Sequence, residues 1–284
     1  GQVGQELQRT LPIQGDVMAV DRSSLDLISS DRIRDVIRDI APDIIVNAAA
    51  YTAVDKAETE QPLAHAINTV APGVMAEEAA KLGAFLVHIS TDYVFDGRKN
   101  TPYLEEDEPN PQGIYGESKL LGERRIQQVC SRHVILRTAW VYGTQGKGNF
   151  VKTMLRVGAA RDEVRVVMDQ VGTPTWSFDI AQAIAQLISH MDSDTPLQPG
   201  IYNFTNSGVA SWYDFAITIF EEVQAMGIPF AIKSVVPITT AEYPLPAARP
   251  AYSVLSNRKV SAVLNTVPAH WRHRFQKMLV ELYS

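Results

Sequence analysis

Short, nearly continuous apolar runs alternate along this chain with longer segments of helical periodicity. The apolar runs cover residues 17–21, 43–47, 85–89 and 133–138, and helical patterns between them include residues 30–40 and 63–82. Strands that are buried on both faces read as unbroken apolar runs, and parallel neighbours need a helical crossover between them. The pattern therefore predicts an α/β fold with a doubly wound parallel sheet, covered by helices on both faces.

Composition excludes several classes of partner. The chain has 284 residues and a formal net charge of −6, so it lacks the basic excess with which proteins meet nucleic acid phosphates. No apolar run approaches the roughly 18 residues of a membrane span. One cysteine, Cys130, cannot form an internal disulfide, which favours a cytoplasmic location. We therefore expect neither nucleic acid nor membrane among the partners.

One stretch in the first half carries the residues of an acid–base site. The run 85–89 leads into Ser90 and Thr91, and Tyr115 stands four residues before Lys119 in a helical pattern. Residues four apart share a helix face, so we expect the Lys119 ammonium to lower the pKa of the Tyr115 phenol toward neutrality. Such a phenol can donate a proton at physiological pH, with Thr91 holding the same oxygen. An isolated Tyr–Lys pair could equally be an ordinary pair on a helix surface.

The first residues are typical of the tail of a Rossmann-type dinucleotide-binding fingerprint. Gly1, Gln2, Val3 and Gly4 precede a helical pattern, and the run 17–21 ends in Asp21. Glycines at a helix N-terminus let the backbone approach a pyrophosphate, and the acid would hold ribose hydroxyls. The first glycine and first strand of the motif do not occur here, so we expect about ten further residues ahead of Gly1. An intact-mass measurement tests this; Gly-x-x-Gly alone could be an ordinary turn.

Residues at other predicted strand ends could contact a ligand. Asp26 and Leu27 could bracket an adenine or simply approach a helix. Three small residues, Ala48–Ala50, follow the run 43–47, where they would let a flat ligand lie against the backbone. Trp140 follows the run 133–138 and suits either a pocket wall or the core.

The C-terminal part of the chain differs in composition, because prolines crowd the span after Gly227. We interpret it as part of a smaller C-terminal substrate-binding lobe that ends in a helix over residues 270–282. The expected division assigns residues 1–143 and 171–204 to a dinucleotide-binding domain, and residues 144–170 and 205–284 to the lobe.

Several segments, in order along almost the whole chain, resemble those of one family. They are Gly-Gln-Val-Gly at 1–4, Val-Asn-Ala-Ala-Ala at 46–50, Val-Asp-Lys-Ala-Glu at 54–58, Ser-Thr-Asp-Tyr-Val-Phe-Asp-Gly at 90–97, Tyr-Gly-Glu-Ser-Lys at 115–119, Leu-Arg-Thr-Ala-Trp-Val-Tyr at 136–142, Asp-Gln-Val-Gly-Thr-Pro-Thr at 169–175 and Ala-Arg-Pro at 248–250. The chain thus resembles the dTDP-4-dehydrorhamnose reductases of the extended short-chain dehydrogenase/reductase superfamily. The resemblance implies that NADPH or NADH reduces the 4-keto group of a dTDP-linked 6-deoxy keto-sugar.

The resemblance also implies roles for individual residues. Tyr115 would protonate the developing alkoxide, Lys119 would tune Tyr115 and hold the nicotinamide ribose, and Thr91 would orient the carbonyl. The candidate cofactor-binding residues are Gly1, Gln2, Val3, Gly4, Asp21, Arg22, Asp26, Leu27, Ala48, Ala49, Ala50, Tyr51, Thr52, Tyr115 and Lys119. The candidate substrate-binding residues are Thr91, Asp92, Tyr93, Tyr115, Trp140 and Asn149.

One of the residues expected to bind a metal departs from the family pattern, and two others leave the choice of cofactor open. Some members bind Mg²⁺ through glutamates, and Glu6 and Glu281 match two such positions, but the third is Phe178, which cannot ligate a hard cation. Metal dependence, and a homodimer built on it rather than a monomer, is therefore doubtful. Asp21 favours the unphosphorylated ribose of NADH, whereas Arg22 could meet the 2′-phosphate of NADPH, so we expect both cofactors to be used.

Two other functions are compatible with the same scaffold. One is that of a non-catalytic regulatory subunit of methionine adenosyltransferase type, which keeps the cofactor site and the Tyr–Lys pair. The other is a sugar-nucleotide epimerase or dehydratase; a dehydratase would carry an acid pair near Thr91, whereas here Asp92 is followed by Tyr93. Consumption of NADPH in a one-to-one ratio with the keto-sugar separates a reductase from these alternatives.

Overall fold

The computed structural model describes residues 1–191 and 197–284. Its helices are α1 (Gln2–Thr10), α2 (Ser30–Ile40), α3 (Val54–Ala57), α4 (Gln61–His65), α5 (Ala71–Leu82), α6 (Ile114–Val129), α7 (Phe150–Ala160), α8 (Ser177–Ser189), α9 (Trp212–Ala225), α10 (Arg258–Leu264) and α11 (Trp271–Tyr283). A π-helical segment, Ala66–Val70, joins α4 to α5, and short 3₁₀ turns cover Leu11–Ile13, Asp92–Val94 and Thr240–Glu242. In the part of the chain that the structure describes, no helix is both long and apolar enough to cross a membrane.

A four-stranded parallel sheet forms the centre of the fold. The described residues form the strands β1 (Ile44–Asn47), β2 (Phe85–Thr91), β3 (His133–Thr138), β4 (Val141–Tyr142), β5 (Glu163–Val167), β6 (Val171–Gly172), β7 (Thr175–Trp176), β8 (Gly200–Asn203), β9 (Ala210–Ser211) and β10 (Ser234–Ile238), four of which make up this central sheet. The central sheet has the order β1-β2-β3-β8, and its register places Asn47 beside His88 and Thr91 beside Thr138. The predicted α/β fold with a parallel sheet is confirmed.

Helices cover both faces of this sheet, as the alternating runs predict. Val134 and Leu136 of β3 point to one face and pack with α1 and α8, whereas Ile135 points to the other and packs with α2 and α5. The apolar run of β3 is therefore buried from both sides, which makes the sheet doubly wound.

The N-terminal edge of the sheet differs from the prediction. Residues 17–21 were expected to form a strand that ends in Asp21, but they form none, and Met18 is 69% exposed. A strand exists only where another strand pairs with its backbone. Among the described residues, β1 pairs with β2 alone, so the segment 17–21 has no ladder to join. For the same reason β1 is only partly buried, whereas a fully buried strand was expected.

A separate apolar cluster lies beyond the sheet. Its aromatic centre is Phe215 of α9 with Phe275 of α11, and α7 and the parallel pair β5-β10 pack around it. The predicted helix over residues 270–282 corresponds to α11 within one residue at each end. The division of the chain into two domains at the expected boundaries stays a prediction.

Candidate active site

The end of β2 and the start of α6 bring the predicted catalytic residues together. The Thr91 hydroxyl lies beside the Tyr115 hydroxyl and, by hydrogen bonding, lowers its pKa. The ring of Tyr93 meets that of Tyr115 edge-on, with centroids 5.4 Å apart. A Cβ at Gly116 would lie 2.1 Å from the Tyr93 carbonyl oxygen, so only glycine lets the helix approach this closely.

The pKa of Tyr115 moves in the opposite direction to the prediction. Burial, which outweighs the Thr91 hydrogen bond, raises the pKa of Tyr115 to about 12. Lys119 does not lower it, because the Lys119 amine turns away to the main chain and donates to the Ile89 carbonyl at 2.6 Å. The expectation that Lys119 tunes the phenol is therefore wrong for this structure. The neutral phenol is the stable form of Tyr115 at physiological pH.

Lys119 is 1% exposed, so its amine lies in the interior of the protein. Its Nζ lies 3.1 Å from Nε2 of His88, a residue that the sequence reasoning treated only as part of a strand. Burial lowers the pKa of Lys119 to about 8, although Glu123 one turn further along α6 opposes the shift. Glu123 is itself held by a bidentate pair with Arg137, at 2.6 and 3.0 Å.

Asp92 is a buried acid next to the candidate catalytic hydroxyls. It is 2% exposed, and its Oδ1 accepts a hydrogen bond from the Thr91 hydroxyl at 3.0 Å. Burial raises the pKa of Asp92 to about 6, and Ser253 and Thr91 partly oppose this by hydrogen bonding. The Asp92 carboxyl therefore changes its charge close to physiological pH.

The N-terminus of α1 fits a dinucleotide phosphate. Gly1 is the N-cap, no side chain caps the helix, and a Cβ at Gly1 or Gly4 would meet nothing within 4 Å. Free backbone N–H groups at an open helix N-terminus favour an anion. Gln2 is partly turned aside, because its Oε1 accepts from the Asn149 amide at 2.7 Å, and Val3 is buried in the core.

Other candidate cofactor residues line the same side of the sheet. Ala48, Ala49 and Ala50 follow β1, and Ala49 is exposed. Asp21 caps its own turn by accepting from Ser23 N–H at 2.9 Å. The remaining candidates are exposed or partly exposed loop residues: Arg22, Asp26, Leu27, Tyr51 and Thr52. Small residues and an open helix terminus fit a dinucleotide; the individual contacts stay predictions.

Two residues that sequence reasoning missed hold this loop against the catalytic helix. Asn68, on the π-helical segment, accepts from Tyr51 N–H at 2.9 Å and donates to Ser118 Oγ at 3.1 Å. Glu58 accepts from the N–H of Ile114, the first residue of α6, at 3.0 Å. A polar residue within an otherwise helical pattern is the only sequence signal for Asn68. Glu58 lies in the family-like segment 54–58, but sequence reasoning assigned it no role.

Trp140, a candidate substrate-binding residue, packs against the apolar cluster beyond the sheet. Trp140 has a left-handed backbone (φ 47°), and its ring stacks on that of Trp212 with centroids 3.5 Å apart. A Cβ at Gly172 would lie 2.6 Å from the Trp140 ring, so the close packing requires glycine there. Asn149 is the N-cap of α7 and accepts from Lys152 N–H at 3.0 Å, so both ends of its amide have partners within the protein.

An ion pair links the proline-rich segment to α3, the short helix that follows the loop after β1. Both Nη atoms of Arg249 lie 2.7 Å from the two oxygens of Asp55, and the Ala247 N–H donates to the same carboxylate at 3.2 Å. Arg249 also stabilises the charged form of Tyr93 electrostatically, although burial dominates and raises the pKa of that phenol. Two of the family-like segments therefore meet beside the catalytic tyrosines.

The residues at the suspected metal position do not fit a magnesium ion. Arg9 Nη1 lies 2.8 Å from Glu6 and 3.1 Å from Glu281, and the Arg9 guanidinium lies 5.4 Å from the Phe178 ring centroid. The Arg9 guanidinium therefore lies between the carboxylates of Glu6 and Glu281. Among the described residues, no group of three or more His, Cys, Asp or Glu side chains could hold a metal ion.

Comparisons with known proteins agree with this geometry. The family model "RmlD substrate binding domain" matches residues 1–284. The dTDP-4-dehydrorhamnose reductase of Escherichia coli K12 is 42% identical, over 100% of this chain and 96% of that protein. A crystal structure of a dTDP-4-dehydrorhamnose reductase from Clostridium acetobutylicum has a TM-score of 0.91 at 39% identity, covering 100% of this chain and 97% of that one. The enzyme from Bacillus anthracis, solved in complex with NADP, has a TM-score of 0.90 at 36% identity, covering 99% and 96%. The chain belongs to the RmlD substrate-binding-domain family.

Proposed function

We propose that the protein reduces the 4-keto group of dTDP-4-dehydro-6-deoxy-L-mannose to give dTDP-L-rhamnose, with NADPH or NADH as the reductant. The observation that carries this proposal is the meeting of Thr91 and Tyr115 at the end of β2, with the Lys119 amine one helical turn behind. The relatives named as reductases of this keto-sugar match the whole chain, and one was solved with NADP.

The structure suggests how the chain contributes to such a reaction. The bound nicotinamide supplies a hydride to the carbonyl carbon. Tyr115, neutral because burial raises its pKa to about 12, is in the right form to give its proton to the oxygen that gains charge. Thr91 can donate a second hydrogen bond to the same oxygen, and two donors at a developing alkoxide stabilise the transition state.

Cofactor binding is assigned to the sheet edge that holds α1 and the loop after β1. The open N-terminus of α1 would hold the pyrophosphate, and Ala48–Ala50 would pass beneath the cofactor. Asp21 and Arg22 are both exposed, so neither is committed elsewhere to a charge partner in an ion pair of the described residues. We propose that Asp21 favours NADH, that Arg22 favours NADPH, and that both cofactors are used.

The remaining assignments concern location and assembly. We propose a cytoplasmic protein that acts as a monomer or homodimer on a dTDP-linked keto-sugar, without nucleic acid or membrane partners. Net negative charge and a single, buried Cys130 support this setting. We propose that the reaction needs no metal at this position, because the Arg9 guanidinium contacts both glutamates. The division into a dinucleotide-binding domain (1–143 and 171–204) and a substrate lobe (144–170 and 205–284) is proposed with it.

The test is a stoichiometric assay of the full chain with dTDP-4-dehydrorhamnose. NADPH oxidation followed at 340 nm should match keto-sugar loss one for one, with dTDP-L-rhamnose as product. An epimerase or a dehydratase would convert a sugar nucleotide without net consumption of NADPH. A regulatory subunit would bind NADPH and consume none, and either result would overturn the proposal.

A further inference from the structure

The Thr91 hydroxyl has a single hydrogen and two neighbours that would accept it. Its Oγ1 donates to Oδ1 of Asp92 at 3.0 Å. A hydrogen bond from Thr91 to Tyr115 also partly opposes the rise that burial causes in the pKa of that phenol. The same Oγ1 accepts the N–H of Tyr93 at 3.3 Å. A hydroxyl has one hydrogen and two lone pairs, so Thr91 cannot donate to Asp92 and to Tyr115 at once.

An ionised Asp92 takes the Thr91 hydrogen, because a carboxylate can only accept. Asp92 is 2% exposed, and its Oδ2 makes no hydrogen bond within the described residues, although the Ser253 hydroxyl favours the charged form of the carboxyl. Thr91 then keeps one free lone pair, which can accept from the Tyr115 hydroxyl. In this state both hydroxyl hydrogens are engaged inside the protein and neither is offered to a substrate oxygen.

A neutral Asp92 reverses the hydrogen bond to Thr91. A proton on Oδ1 points to Thr91 Oγ1, whereas a proton on Oδ2 would be buried without a hydrogen bond among the described residues. Thr91 then accepts from both Asp92 and the Tyr93 N–H, and its own hydrogen is free. We propose that Asp92 is a positioning residue whose neutral carboxyl, by donating to Thr91, releases the Thr91 hydrogen to the oxygen that gains charge during the reduction.

The charge of Asp92 acts in the same direction as this hydrogen bond. Burial is the largest cause that raises the pKa of Tyr115 to about 12, and the charge of Asp92 raises it further. A carboxylate that disfavours a negative phenolate also disfavours an alkoxide at the same place. The neutral form therefore favours the transition state twice, by freeing a donor and by removing a like charge. Asp92 keeps its proton throughout, since the proton gained by the product comes from Tyr115.

The other titratable groups on the elements around Asp92 are neutral, paired or exposed. Burial also raises the pKa of Tyr93, the next residue, above its usual value. On β2, burial and Lys119 hold the pKa of His88 well below its usual value, so its ring is neutral. The remaining groups are Glu117, exposed on α6, Lys119, which donates to the Ile89 carbonyl, and the ion pairs Glu123 with Arg137 and Asp55 with Arg249.

This inference rests on the proposed function, because Thr91 and Tyr115 are its proton donors. The first test is kcat/KM for NADPH oxidation with the keto-sugar as a function of pH. Burial raises the pKa of Asp92 to about 6, so the neutral fraction falls about tenfold per pH unit above that value. Wild-type kcat/KM should fall at least about tenfold between pH values of about 6 and 8.

Two variants assign this fall to Asp92. In Asp92→Asn the amide does not titrate, so kcat/KM should change less than about threefold over the same range. Asp96→Asn removes a carboxyl four residues further along the chain and should keep the wild-type fall; the pKa of Asp96 is lowered, chiefly by the Arg98 N–H. A flat wild-type profile, or an undiminished fall in Asp92→Asn, would overturn the proposal.

The second test needs no substrate and follows the ¹³Cζ signal of Tyr115 in the full chain labelled with ¹³C-tyrosine. Tyr115→Phe assigns the signal. Its shift should change with an inflection near pH 6, because the Thr91 hydrogen turns from Tyr115 to Asp92 as that carboxyl ionises. Thr91→Val has no hydroxyl to turn and should lose most of this change.

An inflection of full size in Thr91→Val would show that Asp92 acts on Tyr115 without Thr91, and would overturn the proposal. The absence of an inflection in the wild type would do the same. If Asp92→Asn does not fold, the wild type and Thr91→Val decide. An absence of reduction at every pH would overturn the proposed function, whereas the tyrosine signal decides the link between Asp92 and Thr91 by itself.

Discussion

The carboxylate of Glu58 caps the helix that carries Tyr115 and Lys119, by accepting the N–H of Ile114 across 56 residues of chain. Because the N-cap residue Gly113 has no side chain to do this, Glu58 satisfies an N–H that α6 would otherwise leave open. We expect Glu58→Ala to lower the free energy of unfolding by about 1 kcal/mol and to reduce turnover. Glu58→Gln keeps an oxygen acceptor and should lose less of both. Urea unfolding and steady-state kinetics measure the two effects; equal losses in the two variants would argue against capping.

Tyr115→Phe removes the proposed proton donor and leaves the ring in place. Turnover should fall on the order of a hundred-fold or more, because a positioned general acid contributes that much. NADPH oxidation with the keto-sugar is the measurement. Tyr283→Phe, which changes a phenol 44% exposed at the end of α11, is the matched control. Near-normal turnover of Tyr115→Phe would remove Tyr115 as the acid.

The raised pKa of Asp92 predicts that its contribution to the free energy of unfolding falls as the pH rises. Its pKa is about 6 in the folded protein and about 3.9 in an unfolded chain, so the folded state holds the extra proton between these values. The stability contributed by this group is therefore present at low pH and lost as the pH rises from about 4 to about 6. Asp92→Asn lacks this loss. Relative to wild type, its free energy of unfolding should rise by about 2 kcal/mol between pH values of about 4 and 7.

Asp96 should change the free energy of unfolding with pH in the opposite direction to Asp92. Its pKa is lowered, chiefly by the hydrogen bond from Arg98 N–H, so its stabilisation is present above the unfolded pKa and lost as the pH falls. Asp96→Asn should therefore lose stability relative to wild type as the pH rises toward about 4, and this difference should change little at higher pH. Urea titrations of the three proteins at each pH measure both trends. A flat difference for Asp92→Asn would show that its carboxyl is not buried as a neutral acid.

Arg9 is predicted to make the protein independent of divalent metal. EDTA should change neither the melting temperature nor the turnover, because the cation between Glu6 and Glu281 is part of the chain. Arg9→Gln would leave the fully buried Glu6 without a cation and should destabilise the fold by about 1–2 kcal/mol. Differential scanning fluorimetry with EDTA or MgCl₂ measures these effects. A loss of stability on adding EDTA to the wild type would contradict the assignment.

Sequence patterns predicted the parts of the fold that local periodicity determines. The run 85–89 became β2, and the pattern after Tyr115 became α6, as predicted. The run 17–21 has the same apolar character, yet it forms no strand, because pairing depends on a neighbour that periodicity cannot supply. Apolar runs thus identify candidate strands, and only the assembled sheet decides which of them pair.

The candidate site shows the same limit at the level of single atoms. Spacing placed Tyr115 and Lys119 on one helix face, but it could not show that the Lys119 amine bonds to the Ile89 carbonyl and faces His88. His88 was hidden within an apolar strand, and Glu58 meets α6 only through tertiary folding. The predicted direction of the Tyr115 pKa shift was wrong because burial, which sequence spacing does not reveal, outweighs the Thr91 hydrogen bond, and the Lys119 amine bonds to the main chain instead.

The stacked rings of Trp140 and Trp212 have an optical consequence. Two indoles whose planes differ by 5° at 3.5 Å couple their electronic transitions, so the pair should give a circular dichroism band that either residue alone lacks. Trp140 precedes β4, whereas Trp212 begins α9 in the cluster beyond the sheet. Any slippage between those two parts of the molecule would separate the rings and weaken the band. The protein therefore carries an intrinsic, label-free optical signal for any movement of β4 relative to α9.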